Sequence, residues 1–214
     1  MTQAKRLTLK ISEIFCSLAG EGGLTGKPMA FVRLSGCNLR CLWCDTTYAL
    51  EGGEELTAEQ IVARISGFGL KNVLVTGGEP LAQTATRAFL KLLIEKGFEV
   101  ALETNGSFSI EGVDKRVCII MDIKCPSSGV SESNLWENIG GLGEKDEVKF
   151  VIADRADFEY AKEAVLTRLR DCPAAVWFGP AWGKIEPGEL AGWIIAEKLP
   201  VRMYLQLHKA IGIK

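Results

Sequence analysis

The chain has one histidine, His208, and no excess of either charge: 25 Lys and Arg stand against 27 Asp and Glu, for a net charge of −2 over 214 residues. A balance this even supplies no basic footprint for nucleic acid and no charged tail that would stay disordered. Long apolar runs are also missing, so nothing in the chain is expected to span a bilayer. The start, Met1-Thr2-Gln3-Ala4-Lys5-Arg6, leads into an alternating stretch and not into the apolar core of a signal peptide. No linker-like or low-complexity segment divides the sequence, so one domain over 1–214, in the cytoplasm, is expected. The seven cysteines, in a chain without a secretory signal, read as reduced thiols and metal ligands and not as a disulfide framework.

Three of those cysteines fall within eight residues, in Gly36-Cys37-Asn38-Leu39-Arg40-Cys41-Leu42-Trp43-Cys44-Asp45, with the spacing Cys-x3-Cys-x2-Cys. Three such thiolates can hold a cubane iron-sulfur cluster by three of its irons and leave the fourth open to a small molecule. Zinc in a Cys3His set completed by His208 is the alternative, although zinc knuckles and ribbons usually bring a second Cys-x2-Cys pair, which is absent here. Cys16, Cys118, Cys125 and Cys172 have no ligand spacing and read as small buried hydrophobes, with Cys125 of interest for its place near a strand end.

Periodicity predicts strands at Leu7–Phe15, Ala30–Leu34, Asn72–Thr76, Glu99–Glu103, Val117–Asp122, Glu147–Ile152, Ala175–Gly179 and Val201–Leu205. Helices are expected after the capping box Thr57-Ala58-Glu59-Gln60, from Thr84 to Lys96 with a stop at Gly97, over Ala156–Arg170, and over Gly188–Lys198 behind Pro187. Strands separated by helices pair in parallel through right-handed crossovers, but the segment between Glu103 and Val117 is too short for a crossover helix. A partial, open βα barrel follows, with its active site at the carboxyl ends of the strands. Those exits carry Cys37, Thr76-Gly77-Gly78-Glu79, Glu103-Thr104-Asn105, Asp122-Ile123-Lys124 and Gln206-Leu207-His208.

From Glu13 to Tyr48 the sequence resembles radical S-adenosylmethionine (SAM) enzymes and, within them, the 7-carboxy-7-deazaguanine synthase family. The cysteine run carries the wider likeness; Gly-Glu-Gly at 20–22, Phe-Val-Arg-Leu at 31–34 and Cys44-Asp45-Thr46 narrow it, and Thr76–Pro80, Glu103–Gly106, Asp122–Lys124 and Gln206–Lys209 extend it over nearly the whole chain. The resemblance implies a radical SAM fold and a lyase that turns 6-carboxy-5,6,7,8-tetrahydropterin into 7-carboxy-7-deazaguanine with loss of ammonia. It also implies a 4Fe-4S cluster on Cys37, Cys41 and Cys44, SAM, and magnesium on Thr46, whose bland reading is a turn or helix cap. SAM is expected to meet Trp43, Gly78, Glu79, Asp122, Lys124, Gly179 and Pro180. The pterin is expected to meet Ala19, Gly20, Glu21, Arg33, Thr76, His208 and Lys214: Arg33 gripping its carboxylate in a charge-assisted fork, Glu21 accepting from its amino groups, and the apolar tail Ala210–Ile213 folding the chain end over the pocket. Many relatives carry glutamine where this chain has Ala19, which leaves only a backbone contact there. A homodimer and a flavodoxin- or ferredoxin-like reductant are further implications. Two rivals stay open: an activase that abstracts hydrogen from a glycine of a protein partner, and an iron-sulfur electron carrier.

Overall fold

A computed structural model describes residues 7–214; Met1–Arg6, on which the signal-peptide argument bears, lie outside the described residues. The chain opens with an antiparallel pair, β1 (Thr8–Leu18) and β2 (Pro28–Leu34). Six parallel strands continue the sheet from β2: β4 (Asn72–Gly77), β5 (Glu99–Thr104), β6 (Cys118–Ile123), β7 (Glu147–Ile152), β8 (Ala175–Pro180) and β9 (Arg202–Met203). A short strand, β3 (Glu54–Thr57), lies antiparallel on the outer edge of β1. The order is β3-β1-β2-β4-β5-β6-β7-β8-β9, and the two outermost strands do not pair, so the barrel is open as expected.

Helices return the chain between parallel strands: α1 (Ala58–Ser66) before β4, α2 (Thr86–Glu95) into β5, α3 (Arg155–Leu166) into β8 and α4 (Pro187–Glu197) into β9. The capping box at Thr57 forms reciprocally. Gln60 N donates to Thr57 Oγ1 at 3.3 Å while Thr57 N donates to Gln60 Oε1 at 2.8 Å, an arrangement worth about 1 kcal/mol. No helix joins β5 to β6 among the described residues. That link is held instead by Asn138, which donates to the carbonyls of Gly106 and Phe108 and accepts from Ile110 N.

Strand side chains alternate between two faces, and composition changes along one of them. The helix-covered face is apolar throughout: Val32, Leu34, Val73, Val75, Leu102, Met121, Ile123, Phe150 and Phe178 are all buried. The inner face begins apolar, with Met29, Phe31, Leu74, Ala101 and Ile120 forming a small second core. One period further toward the carboxyl ends it becomes polar, as Phe31 gives way to Arg33, Leu74 to Thr76, Ala101 to Glu103 and Ile120 to Asp122. An apolar floor beneath a polar rim is therefore written into four adjacent strands.

Several elements differ from the sequence reading. β1 runs to Leu18, because its pairing with β2 continues to Leu18 opposite Pro28. The last strand shrinks to Arg202–Met203, an edge position with a partner on one side only. β3 and a short terminal helix, α5 (Leu207–Ile211), were not foreseen. Glu54 and Glu55 in β3 are exposed and carry no apolar alternation, and α5 has one turn and little periodic signal.

Candidate active site

The polar rim encloses a cavity of about 510 Å³. Cys37, Cys41 and Cys44 line it from the loop that leaves β2. Arg40 braces this loop by donating to the carbonyls of Cys37 (2.8 Å) and Leu39 (2.9 Å), and Leu42 N donates to Ser128 O at 2.9 Å. Among the described residues no three His, Cys, Asp or Glu side chains converge on a point where one metal ion would sit. A cubane takes each thiolate on a different iron, so its ligands stand farther apart than those of a single metal ion. The thiols on one braced loop, partly exposed and facing the cavity, fit a cluster.

The glycines after β4 have a packing reason for being glycine. A Cβ on Gly77, whose φ is +147°, would lie 2.3 Å from Leu34 O, and one on Gly78 would lie 2.2 Å from Gly36 O and 2.9 Å from Cys37 Cβ. Their absence lets this loop abut the cysteine loop, with Gly78 still at the cavity wall.

Three residues expected on SAM do not line the cavity. Glu79 is fully buried, and its carboxylate accepts from Leu81 N (2.8 Å), Asn105 N (2.7 Å) and Thr104 Oγ1 (2.9 Å), so it ties the exits of β4 and β5 together behind the cavity wall. Burial pushes its pKa up in spite of those donors. Gly179 and Pro180 do not line the cavity; a Cβ on Gly179 would lie 2.2 Å from Tyr204 Cζ, so this glycine makes room for an aromatic ring. Trp43, Asp122 and Lys124 do line it. Lys124 Nζ lies 2.8 Å from Asp122 Oδ2 and 5.9 Å from the centre of the Trp43 ring, and Asp122 Oδ1 is buried without a partner. Burial pulls the Lys124 ammonium down, but Asp122 and Cys41 outweigh it and its pKa is raised.

Arg33 Nε, also at the cavity, donates to Glu13 Oε1 at 2.8 Å, and its guanidinium stands 5.9 Å from the rings of both Phe15 and Tyr48. No described protein group takes its terminal nitrogens, which leaves a fork at the cavity. Burial pushes Glu13 up, yet Lys214, Arg33 and Tyr48 together bring it below the usual carboxylate range. Thr46 also faces the cavity; its hydroxyl makes no cap bond, and the nearest polar partner is Cys44 Sγ at 3.8 Å. Thr46 does open the short turn at Thr47–Ala49, its carbonyl accepting from Ala49 N at 2.9 Å, but its hydroxyl takes no part in that cap. Ala19 has its amide bonded to Lys27 O and its carbonyl to Gly26 N, so little backbone is left for the contact expected there. His208 packs on Gly20, where a Cβ would lie 1.9 Å from Nδ1, and Lys214 closes the rim through contacts with Glu13 and Ser17.

The residue that sequence reading missed is Lys149. It sits mid-strand in β7 with a side chain only 2% exposed, bonded to Glu21 and, at 2.6 Å, to Glu103 Oε1. Gln206 Nε2 donates to Glu21 Oε1 at 2.7 Å, Thr76 Oγ1 donates to Glu103 Oε2 at 3.0 Å, and the Tyr204 ring lies 5.6 Å from the ammonium. Burial raises both carboxyls, but the Lys149 charge overrides it and both end below the usual range; burial lowers Lys149, and the two carboxylates lift it well above the usual lysine value. The available signal was a lone lysine inside the otherwise apolar run Val148-Lys149-Phe150-Val151-Ile152.

A cysteine loop and a set of ion-paired residues lining one cavity of an open βα barrel point to a radical SAM protein, and a sequence profile of the radical SAM superfamily matches residues 31–122. The chain is 46% identical over 206 residues to the 7-carboxy-7-deazaguanine synthase of Chlorobaculum tepidum, covering 95% of this chain and 94% of that one. It is 39% identical to that of Koribacter versatilis, covering 95% and 96%. The crystal structure of QueE from Escherichia coli superimposes with a TM-score of 0.79 at 25% identity, covering 94% and 95%. The chain therefore belongs to the 7-carboxy-7-deazaguanine synthase family, whose superfamily membership implies a 4Fe-4S cluster and SAM.

Proposed function

We propose that this enzyme converts 6-carboxy-5,6,7,8-tetrahydropterin to 7-carboxy-7-deazaguanine with release of ammonia, on a path to queuosine-type 7-deazapurines. The observation that carries this reading is one cavity lined both by the three thiols and by Arg33, Glu21, Glu103 and Lys149, matched to a small molecule with one carboxylate and several N–H donors. When bound, the cluster and SAM supply a 5′-deoxyadenosyl radical that removes one hydrogen atom. Cys37, Cys41 and Cys44 hold the cluster, and Gly78, Asp122, Lys124 and Trp43 form the side on which SAM lies. Arg33 offers its free fork to the pterin carboxylate, with Glu13 fixing the guanidinium plane. Glu21 accepts from the pterin amino group, while His208 and the chain end cover the pocket. The charged groups that line this cavity, Arg33, Glu21, Glu103 and Lys149, favour a small pterin over the peptide of a glycyl-radical activase.

We further assign magnesium to Thr46, a single domain to 1–214, a homodimer, and a flavodoxin- or ferredoxin-like reductant in the cytoplasm. Among the described residues no helix is long and apolar enough to cross a membrane. Thr46→Val is expected to raise the magnesium concentration needed for full activity, since the ion loses its proposed side-chain ligand; an unchanged requirement would remove Thr46 from the site.

Anaerobic reconstitution, followed by assays of 5′-deoxyadenosine, deazaguanine product and ammonia with and without the carboxytetrahydropterin, tests the whole reading. In Arg33→Ala, substrate-independent SAM cleavage should persist while kcat/KM for the pterin falls by roughly 30-fold or more, the equivalent of about 2 kcal/mol for a lost charge-assisted contact. Loss of SAM cleavage in the same variant would show that Arg33 serves the cofactor side instead.

A further inference from the structure

The segment from Gly20 to Gly23 is pinned at three successive points. Gly20 O accepts from Leu207 N at 2.9 Å, and the Glu21 side chain is bonded to Lys149 and Gln206. The third pin is Glu147, a residue to which the reaction gives no role. Both of its carboxylate oxygens accept from Gly23 N, at 3.1 and 3.0 Å. A Cβ on Gly22 would lie 2.3 Å from Glu147 Oε2 and one on Gly23 2.4 Å from Oε1, so the two glycines let the backbone close around that carboxylate. Glu147 is buried and does not line the cavity, so it acts on the chain and not on a ligand. Burial pushes its carboxyl up in spite of Gly23 N and Lys149, a cost that an apolar side chain at this place would avoid.

We propose that Glu147 is a positioning residue for pterin binding, which fixes the backbone at Gly22 and Gly23 so that the Glu21 carboxylate stands ready in the cavity. The proposal rests on the pterin reading given above, through Glu21. Glu147 and Lys149 are two positions apart in β7, so they project to the same face with their separation set by the strand. Lys149 holds the side chain of Glu21, and Glu147 holds the backbone two residues further on. The first hold alone joins two long, flexible side chains, which leaves the loop free to swing with the ion pair intact. With the second, a ligand meets an acceptor already in place and bears no cost of ordering the loop. The grip is charge-assisted and therefore strong enough to serve as a fixed point.

The test measures equilibrium binding of 6-carboxy-5,6,7,8-tetrahydropterin to the anaerobically reconstituted enzyme with SAM and no reductant, so that nothing turns over. Glu147→Ala is expected to weaken pterin binding by roughly tenfold, with cluster absorption and SAM affinity unchanged. Glu147→Gln keeps an acceptor for Gly23 N and is expected to retain most of the affinity. Gly23→Ala, at a backbone outside the left-handed region, pushes the carboxylate off its amide from the other side; it should weaken binding likewise, and it decides the matter if Glu147→Ala does not fold. A double-mutant cycle separates positioning from general stability: in a Glu21→Gln background, Glu147→Ala should add less than about a twofold loss, because the anchor acts through that carboxylate. Losses that multiply in the double variant overturn the proposal. So do wild-type affinity in Glu147→Ala or Gly23→Ala, Glu147→Gln as weak as Glu147→Ala, and a fall in SAM affinity equal to that for the pterin. If Glu21→Gln by itself leaves pterin binding unchanged, the pterin reading fails at Glu21 and the proposal with it.

Discussion

Alanine in place of Cys37, Cys41 or Cys44 is expected to abolish the visible absorption of the reconstituted cluster and all cleavage of SAM, while Cys172→Ala leaves both intact. The three thiols are the cysteines that reach the cavity among the described residues, and no substitute is within reach. Cys125 is almost fully buried behind the rim, and burial pushes its thiol well above the usual range, so it stays protonated. Cys118 donates to Lys145 O at 3.0 Å, and burial followed by Glu147 and Asp146 pushes its pKa up to about 11. Cys172 packs against the helix-side core. A cluster with two protein ligands has two irons open to solvent, which removes both its stability and the single differentiated iron that binds SAM. Iron and sulfide content, the absorption spectrum and the 5′-deoxyadenosine yield report together, and comparable loss in Cys172→Ala would refute the assignment.

The thiol wall was legible because metal ligation imposes spacing on the chain itself: three ligands on one loop must recur within a few residues. The strands were legible for a similar reason, since Val73, Leu74 and Val75 or Ile119, Ile120 and Met121 give runs that only a sheet covered on both faces buries. The polar wall was legible only in part. Thr76, Glu103 and Asp122 stand at predicted strand exits and Arg33 just before the cysteine run, whereas Lys149, mid-strand in β7 and 116 positions from Arg33, joins them only through sheet order and register, which no local pattern encodes. The surroundings of Glu79 and Gly179 were not legible for a different reason. A glutamate after two glycines reads the same whether its carboxylate binds a ligand or, as here, three protein donors; a glycine at a strand end reads the same whether it faces a cofactor or a tyrosine ring.

Lys149→Met should be among the costliest single changes in this protein, about 3–5 kcal/mol at neutral pH, because it leaves Glu21 and Glu103 facing each other with no cation between them. The pH dependence identifies the cause. In wild type both carboxyls lie below their ordinary range, so their contribution to stability is complete above pH of about 4.3 and is lost as pH falls through the lowered folded values. Lys149 lies above its ordinary value, so its contribution is complete below pH of about 10.4 and is lost only as pH rises through the raised folded value. Between those limits the trio makes stability flat. Without the ammonium, burial and mutual repulsion act unopposed, at least one carboxyl is raised instead of lowered, and the penalty grows as pH rises above about 4.3 and that group is forced to ionise. The urea midpoint of Lys149→Met should therefore fall furthest below wild type at pH 8 and approach it toward pH 5, with an unchanged slope. Adding Glu103→Gln to Lys149→Met removes one of the two charges and should recover part of the loss at pH 8 while flattening the dependence. A loss of less than about 1 kcal/mol, the same at both pH values, would mean that water already screens the trio and that Lys149 does not hold the wall together.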